Sequence, residues 1–274
     1  KFDRQPDKII APSTGGGGGG SSTGDTKVTT ATVKTATEFQ NAIANNDIKT
    51  ITFGTNITED ITGTRTGSND LNIDFGSYVL DGNLDITANK IKNLNLSGSK
   101  SPAVTGDMTI SAGDATVTNS LVVGKTITIS DVGSHSWIEQ ANGNTITITD
   151  QNGASIVIEG NPGSITITEN ADGTLRLTVN PDATVGSIIS KAPVSIEVAA
   201  GATVNNITAE AGSDGTTITN NGNTGTLIVN APINLVANAA PTTMTVGASG
   251  SVDISGEKAD VVETVDVSAI SVEP

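Results

Sequence analysis

Four glycines at ten-residue intervals, Gly143, Gly153, Gly163 and Gly173, constrain this chain more than any other feature. Each opens a unit in which turn residues lead into an aliphatic strand. The units are Asn142-Gly143-Asn144-Thr145-Ile146, Asn152-Gly153-Ala154-Ser155-Ile156, Asn161-Pro162-Gly163-Ser164-Ile165 and Asp172-Gly173-Thr174-Leu175. The beat continues less evenly through Gly124, Gly133, Ala183, Pro193, Gly201, Gly215, Gly225 and Pro232. Between the turns lie alternating runs such as Ile51-Thr52-Phe53, Leu71-Asn72-Ile73, Leu94-Asn95-Leu96, Ile127-Thr128-Ile129, Ile196-Glu197-Val198 and Val252-Asp253-Ile254. Period-2 alternation puts the aliphatic residues on one face of a strand and Thr, Asn or Glu on the other.

A fixed period of short strand-turn units predicts a β-solenoid. Two ten-residue units would close a coil of about 20 residues, and residues 48–256 would hold about ten coils, roughly 4.8 Å apart. Each coil buries too little to stand alone; stacking builds Ile and Val ladders and pairs each backbone amide with a neighbouring coil. Asn at the turns can add hydrogen-bonded ladders of its own. A β-sandwich is the competing architecture, since it too uses short strands and turns. Composition weighs against it: 35% of residues are hydrophobic but only 2% aromatic, so the interior must be built from Ile, Val, Leu and Ala.

Four segments follow. Residues 1–26 form an arm containing six consecutive glycines, Gly15 to Gly20. Residues 27–47 hold a short strand and then the one helix signal: Thr35 and Glu38 at capping-box spacing, with Phe39, Ala42 and Ile43 on one stripe. That helix is placed to cover the open end of the stack. Residues 48–256 are the solenoid, and 257–274 a strand-like tail rich in Val.

This order looks like the start of the pectate-lyase-like adhesive β-helix domains in surface proteins of Gram-positive bacteria. The resemblance is carried by the Gly-rich linker, the capped helix within Val33–Ile43, then Ile48-Lys49-Thr50-Ile51-Thr52-Phe53, Leu71-Asn72-Ile73-Asp74 and Tyr78-Val79-Leu80-Asp81-Gly82. It covers residues 33–90. It implies an all-β fold, a right-handed parallel β-helix with a short N-terminal capping helix. It also implies an extracellular role in adhesion or structure.

The net charge of -15 argues against nucleic acid, because phosphate contacts need clustered Lys and Arg. Without cysteine there is no disulfide framework or thiolate metal site. No apolar run reaches the length of a membrane span. No leader is present, so a secreted protein would be represented here in processed form.

Candidate sites are few. Pectate lyases and β-helix glycosidases need clustered carboxylates with a basic partner. The one histidine, His135, has no adjacent acid or base, and Arg176 sits at an outward strand position. No catalytic residue is assigned. Asp81, Asn83 and Asp85 resemble the first half of a calcium loop, with Asp70 and Asp74 nearby, but the distal glutamate of that motif is missing. Calcium is the one cofactor considered, and turn chemistry explains the same residues. Thr126/Thr128, Thr145/Thr147/Thr149, Ser164/Thr166/Thr168 and Thr178 could stand in outward rows resembling those of ice-binding solenoids, with Arg176 interrupting them. Trp137, Tyr78 and the four phenylalanines are the available aromatic platforms for glycans.

The expected function is a non-enzymatic extracellular structural subunit that assembles with copies of itself into a surface filament or layer. Phe2, Ile9 and Ile10 of the arm would dock on an adjacent subunit by strand addition, and Val265 and Val267 offer strand-prone tail positions for pairing. The alternative is a monomeric adhesin or polysaccharide-binding module of a bacterial cell surface.

Overall fold

The structure is a computed structural model and describes residues 28–133, 136–150, 153–169, 171, 175–262 and 264–266. Phe2, Ile9, Ile10, His135, Gly173 and Val267 lie outside the described residues.

The chain is an all-β solenoid of about 11 turns with one short helix near the N-terminus. Among the described residues its coils build two parallel sheets. The first sheet contains β1 (Thr30–Val33) and β2 (Thr50–Phe53); the second begins with β3 (Ile61–Thr64). Thereafter the strands alternate between the sheets. They are β4 (Leu71–Asp74), β5 (Leu84–Thr87), β6 (Asn93–Ser97), β7 (Met108–Ala112), β8 (Thr116–Asn119), β9 (Thr126–Val132) and β10 (Trp137–Glu139). Next come β11 (Thr145–Ile148), β12 (Ser155–Ile158), β13 (Ser164–Ile167), β14 (Arg176–Val179), β15 (Thr184–Ser190), β16 (Ser195–Val198) and β17 (Thr203–Ala209). The last are β18 (Thr216–Asn220), β19 (Asn223–Val229), β20 (Pro232–Ala237), β21 (Thr243–Val246), β22 (Ser251–Ser255) and β23 (Thr264–Asp266). Even-numbered strands join β1 in the first sheet, and odd-numbered strands from β3 form the second.

The side-chain ladders follow the alternation read from sequence. Ile127, Ile146 and Ile165 stack in register on the inner face of the second sheet. Val117, Trp137, Ile156, Leu177 and Ile196 stack on the inner face of the first. All eight are fully buried. The period, however, is not fixed. Ile146, Ile156 and Ile165 belong to alternate sheets, so the beat of ten is followed by one of nine and the central coil has nineteen residues. Coils near the N-terminus are longer: Leu71 pairs with Leu94, and Leu84 with Met108, 23 and 24 residues on. Coils near the C-terminus are shorter, Ile218 pairing with Leu235 seventeen on.

Single-residue parallel bridges link Ile57 to Leu80, Leu80 to Val104, and Val104 to Val123. This makes a narrow third ladder between the sheets, which ends at Val123. Its steps span 23, 24 and nineteen residues, and coils of 23 and 22 residues recur beyond it, from Ile165 to Ile188 and from Ile196 to Ile218. Gly143 and Gly153 adopt φ of +83° and +79°, where an L side chain is strained.

The N-terminal end is capped. Helix α1 (Ala36–Ala44) starts where the sequence signals it: the Thr35 hydroxyl accepts from the Glu38 N–H at 3.1 Å, and the Glu38 carboxylate accepts from the Lys34 N–H at 2.6 Å. Its buried stripe is Ala36, Phe39, Ala42 and Ile43. Those residues sit over β3, where inward-facing Gly63 makes room. A Cβ at Gly63 would stand 2.9 Å from both the Ile43 Cδ1 and the Phe39 Cε1. Phe39 leans on Phe53, and Phe53 stacks on Phe75 with ring centroids 4.0 Å apart. Three of the few aromatics are thus used to close this end.

Arg65, directly after β3, locks the cap. It is 2% exposed, and each of its five N–H donors has a carbonyl partner. Nε donates to Asn69, Nη1 to Ile43 and Asn45, and Nη2 to Asn46 and Ile48. One guanidinium therefore satisfies the Ile43 carbonyl in the last turn of α1 and ties the turn after the helix to the next coil. Burial pulls its pKa down while the charge of Asp70 raises it.

Candidate functional site

The residues of the candidate calcium loop are occupied with coil stacking. Asp81 follows Leu80 of the third ladder, and its carboxylate accepts from the Thr105 hydroxyl at 2.7 Å. The Asn83 side-chain oxygen accepts from the Asp107 N–H at 2.9 Å, and the Asn83 N–H donates to Asp60. Asp85 points outward from β5, level with Thr62 and Thr109 of the adjoining strands. Among the described residues no group of three or more His, Cys, Asp or Glu side chains is placed to hold a metal ion. Because the Asp81 and Asn83 oxygens already accept bonds between coils, adding millimolar calcium is expected to leave the melting temperature unchanged. A rise of several degrees in a calorimetric scan would contradict this.

The described aromatic residues are not a surface platform. Trp137, Phe39, Phe53 and Phe75 are all buried, and Tyr78 is half-buried. The hydroxyl rows exist but differ from their expected layout. Thr126, Thr145 and Ser164 stand in one row of the second sheet, and Thr128, Thr147 and Thr166 in the next. Ser130, Thr149 and Thr168 donate to the carbonyls of Ile110, Ile129 and Ile148 in the preceding coil. Thr178 and Arg176 lie on β14, in the other sheet, so Arg176 does not interrupt these rows. The reason is the alternation of successive strands between two faces.

A shallow cleft of about 450 Å³ lies beside the N-terminal cap, lined by Lys49, Ser68, Asn69, Asp70 and Lys92. Asp70 accepts from the Asn93 side chain at 2.8 Å and from the backbone N–H groups of Lys92 and Asn93. Those bonds, the Asn93 side chain first, hold its pKa below the usual carboxylate value. The neighbouring Asn95 donates to Asn72 at 2.7 Å, one rung of the asparagine ladders expected at such positions.

The most unusual chemistry is inside. Glu139 is on the inner face of β10, fully buried, level with Asn119 on one side and Ile158 on the other. Its carboxylate accepts from the Asn119 amide, the Trp137 indole N–H, the Ala141 N–H and the Asn144 amide, at 2.9 to 3.1 Å. Burial pushes the carboxyl up, to about 7, against the pull of those N–H donors. The cluster also explains why the third ladder stops. Asn144 accepts from the Val123 N–H at 2.8 Å and donates to the Leu121 carbonyl. A side chain thus replaces the next bridge, and Glu139 holds that side chain in place. Sequence reading missed this group. Its one signal is the phase of Trp137-Ile138-Glu139, in which the aliphatic residue faces out and the acid faces in.

The two ends of the rod provide the remaining features. Among the described residues, the large apolar side chains left exposed are Val28, at 70%, and Val261, at 59%. Val28 precedes β1, the edge strand at one end. Val261 lies in a single 3₁₀ turn (Ala259–Val261) that follows β22, the edge strand of the same sheet at the other. No family model, curated protein or solved structure matches the chain. The likeness to adhesive β-helix domains therefore rests on residues 33–90 of the sequence itself. Among the described residues no helix is long and apolar enough to cross a membrane.

Proposed function

We propose that this chain is a non-enzymatic, extracellular structural subunit that assembles end to end with copies of itself into a filament or layer. The observation that carries the reading is the position of the exposed apolar residues. Val28 and Val261 mark opposite ends of the rod, each beside an edge strand of the first sheet. An edge strand offers a row of free N–H and C=O groups, and two different ends that fit each other make a heterologous contact, which propagates. The N-terminal arm, with Phe2, Ile9 and Ile10, leads directly into β1 and is positioned in sequence to reach a neighbouring copy. The non-enzymatic part of the reading is supported by Glu139. It is an acid whose pKa is raised towards neutrality, and it is sealed from any substrate at 0% exposure.

A monomeric module that binds acidic polysaccharide is the second reading. The cleft between Lys49 and Lys92 favours it, since it gathers two cations in a chain with net charge -15, with Asp70 in the same lining and Lys92 3.8 Å from Asp114. Electron microscopy separates the two. The full chain is expected to form filaments, and deletion of residues 1–26 is expected to abolish them while leaving monomeric rods. If the truncated chain polymerises as well as the full one, the arm is only a tether. If the full chain stays monomeric and is retained on polygalacturonate beads, the second reading replaces the first.

A further inference from the structure

We infer that β22 of one copy receives β1 of the next as its parallel neighbour, in a single register that sets Ser251 beside Thr30 and Asp253 beside Thr32. This rests on the end-to-end reading above and adds the interface. Both strands belong to the first sheet, and among the described residues each is paired on one side only, β1 with β2 and β22 with β20. All strands of the sheet run parallel. A second copy related by translation along the rod and rotation about it therefore presents β1 with the polarity that the β22 edge requires.

The side chains select the register. On β22 the inward residues are Val252 and Ile254, and both are half-buried, no further coil among the described residues covering them. On β1 the inward residues are Ala31 and Val33. Within the molecule Ala31 and Val33 stack on Ile51 and Phe53, while Val252 and Ile254 stack on Ile233 and Leu235. Placing Ala31 on Val252 and Val33 on Ile254 continues the same two aliphatic columns across the junction. A slip of one residue would turn the outward residues of β1, Thr30 and Thr32, onto the column. A slip of two would leave one apolar residue of each strand unmatched.

Charge agrees with this register. Lys34 follows β1 and is exposed; in this pairing it stands diagonally across from the exposed Asp253. On the second sheet, the edge of β23 would lie under the outer face of the incoming α1. That face carries Thr37, Glu38, Gln40 and Asn41, all exposed, and its polar groups suit a sheet edge. The N-terminal helix therefore ends the hydrophobic core of its own copy without blocking the first sheet.

The lack of cysteine makes the test clean, because introduced thiols have no competitors. Thr30 and Ser251 are both exposed, so cysteine there leaves the core untouched. Outward neighbours on adjacent parallel strands stand within disulfide reach, about 5 Å. The double variant T30C/S251C, assembled and mildly oxidised, is expected to run on a non-reducing gel as a ladder of dimers, trimers and longer products. The off-register pair T30C/D253C is expected to give at least tenfold less. Three outcomes overturn the inference. Filaments without a cross-linked ladder mean that copies join elsewhere, and the end-to-end reading survives alone. Equal ladders from both pairs mean that the register is wrong. A monomeric protein with no filaments by microscopy overturns the end-to-end reading itself, as it would if residues after β23 already occupied the edge.

Discussion

Replacing Arg65 with alanine is expected to destabilise the N-terminal coils by about 3–5 kcal/mol, the largest single-residue effect foreseen in this molecule. The substitution removes five hydrogen bonds at once: the carbonyls of Ile43, Ile48 and Asn69 lose the guanidinium, while Asn45 keeps the Ile48 N–H and Asn46 the Asn69 amide. It also empties the space of a long side chain buried beside α1. Lysine keeps the charge but brings three donors on one atom, which cannot span carbonyls spread over a helix end, a turn and the next coil. R65K should therefore recover less than half of the loss. Because each coil touches only its neighbours, the damage should stay local. Hydrogen exchange should quicken across β1, α1 and β2 while the ladders from β9 to β20 keep their protection. Uniform quickening along the whole rod, or none, would show that Arg65 is not the lock of the cap.

The second large effect is on pH dependence, through Glu139. Its carboxyl is raised from 4.5 to about 7 in the folded chain, so the native state holds this proton more tightly than the unfolded one. The contribution to stability is then full below about pH 4.5 and is lost as pH rises through about 7. The displacement corresponds to roughly 3 kcal/mol between those limits. Asp70 acts in the opposite sense: its lowered value contributes stability above the ordinary carboxylate range, lost only in stronger acid, outside this window. The wild-type chain is expected to resist urea better at pH 5 than at pH 8. E139Q, which carries no charge at either pH, should remove most of that difference. Imidazole ordinarily ionises in this range, and the comparison with E139Q separates the glutamate from the one histidine of the chain. A wild-type midpoint that is flat from pH 5 to pH 8 would mean that the N–H donors around Glu139 keep it charged throughout.

Much of this architecture could be read before any coordinates. Ile127, Ile146 and Ile165 sit in near-identical surroundings of Thr and Ser, and that redundancy makes the coil legible. The Thr35–Glu38 box places the helix start, because a cap is a local interaction written within four residues. Strands β3, β8 and β10 were harder. Ile61-Thr62-Gly63-Thr64 carries a glycine where α1 needs room, Thr116-Val117-Thr118-Asn119 has one aliphatic residue, and Trp137-Ile138-Glu139 inverts the usual phase. Arg65 and Glu139 were invisible as anchors for the same reason. Most of Arg65's partners, and Asn119 for Glu139, lie about twenty residues away; the nearer ones, Asn69 for Arg65 and Trp137, Ala141 and Asn144 for Glu139, form no recognisable local motif. The third ladder of Ile57, Leu80, Val104 and Val123 was equally hidden, since one inward residue per coil leaves no alternation to detect.

The coil-to-coil bonding has a mechanical consequence. In a parallel solenoid the amide bonds that join successive coils point along the rod, so a pull applied at its two ends loads those junctions in series. A coil torn from the stack becomes loose chain: nineteen residues that occupied one layer of about 4.8 Å can extend to roughly 60 Å. A strand of such subunits would give way layer by layer, lengthening more than tenfold where it yields and keeping both ends attached.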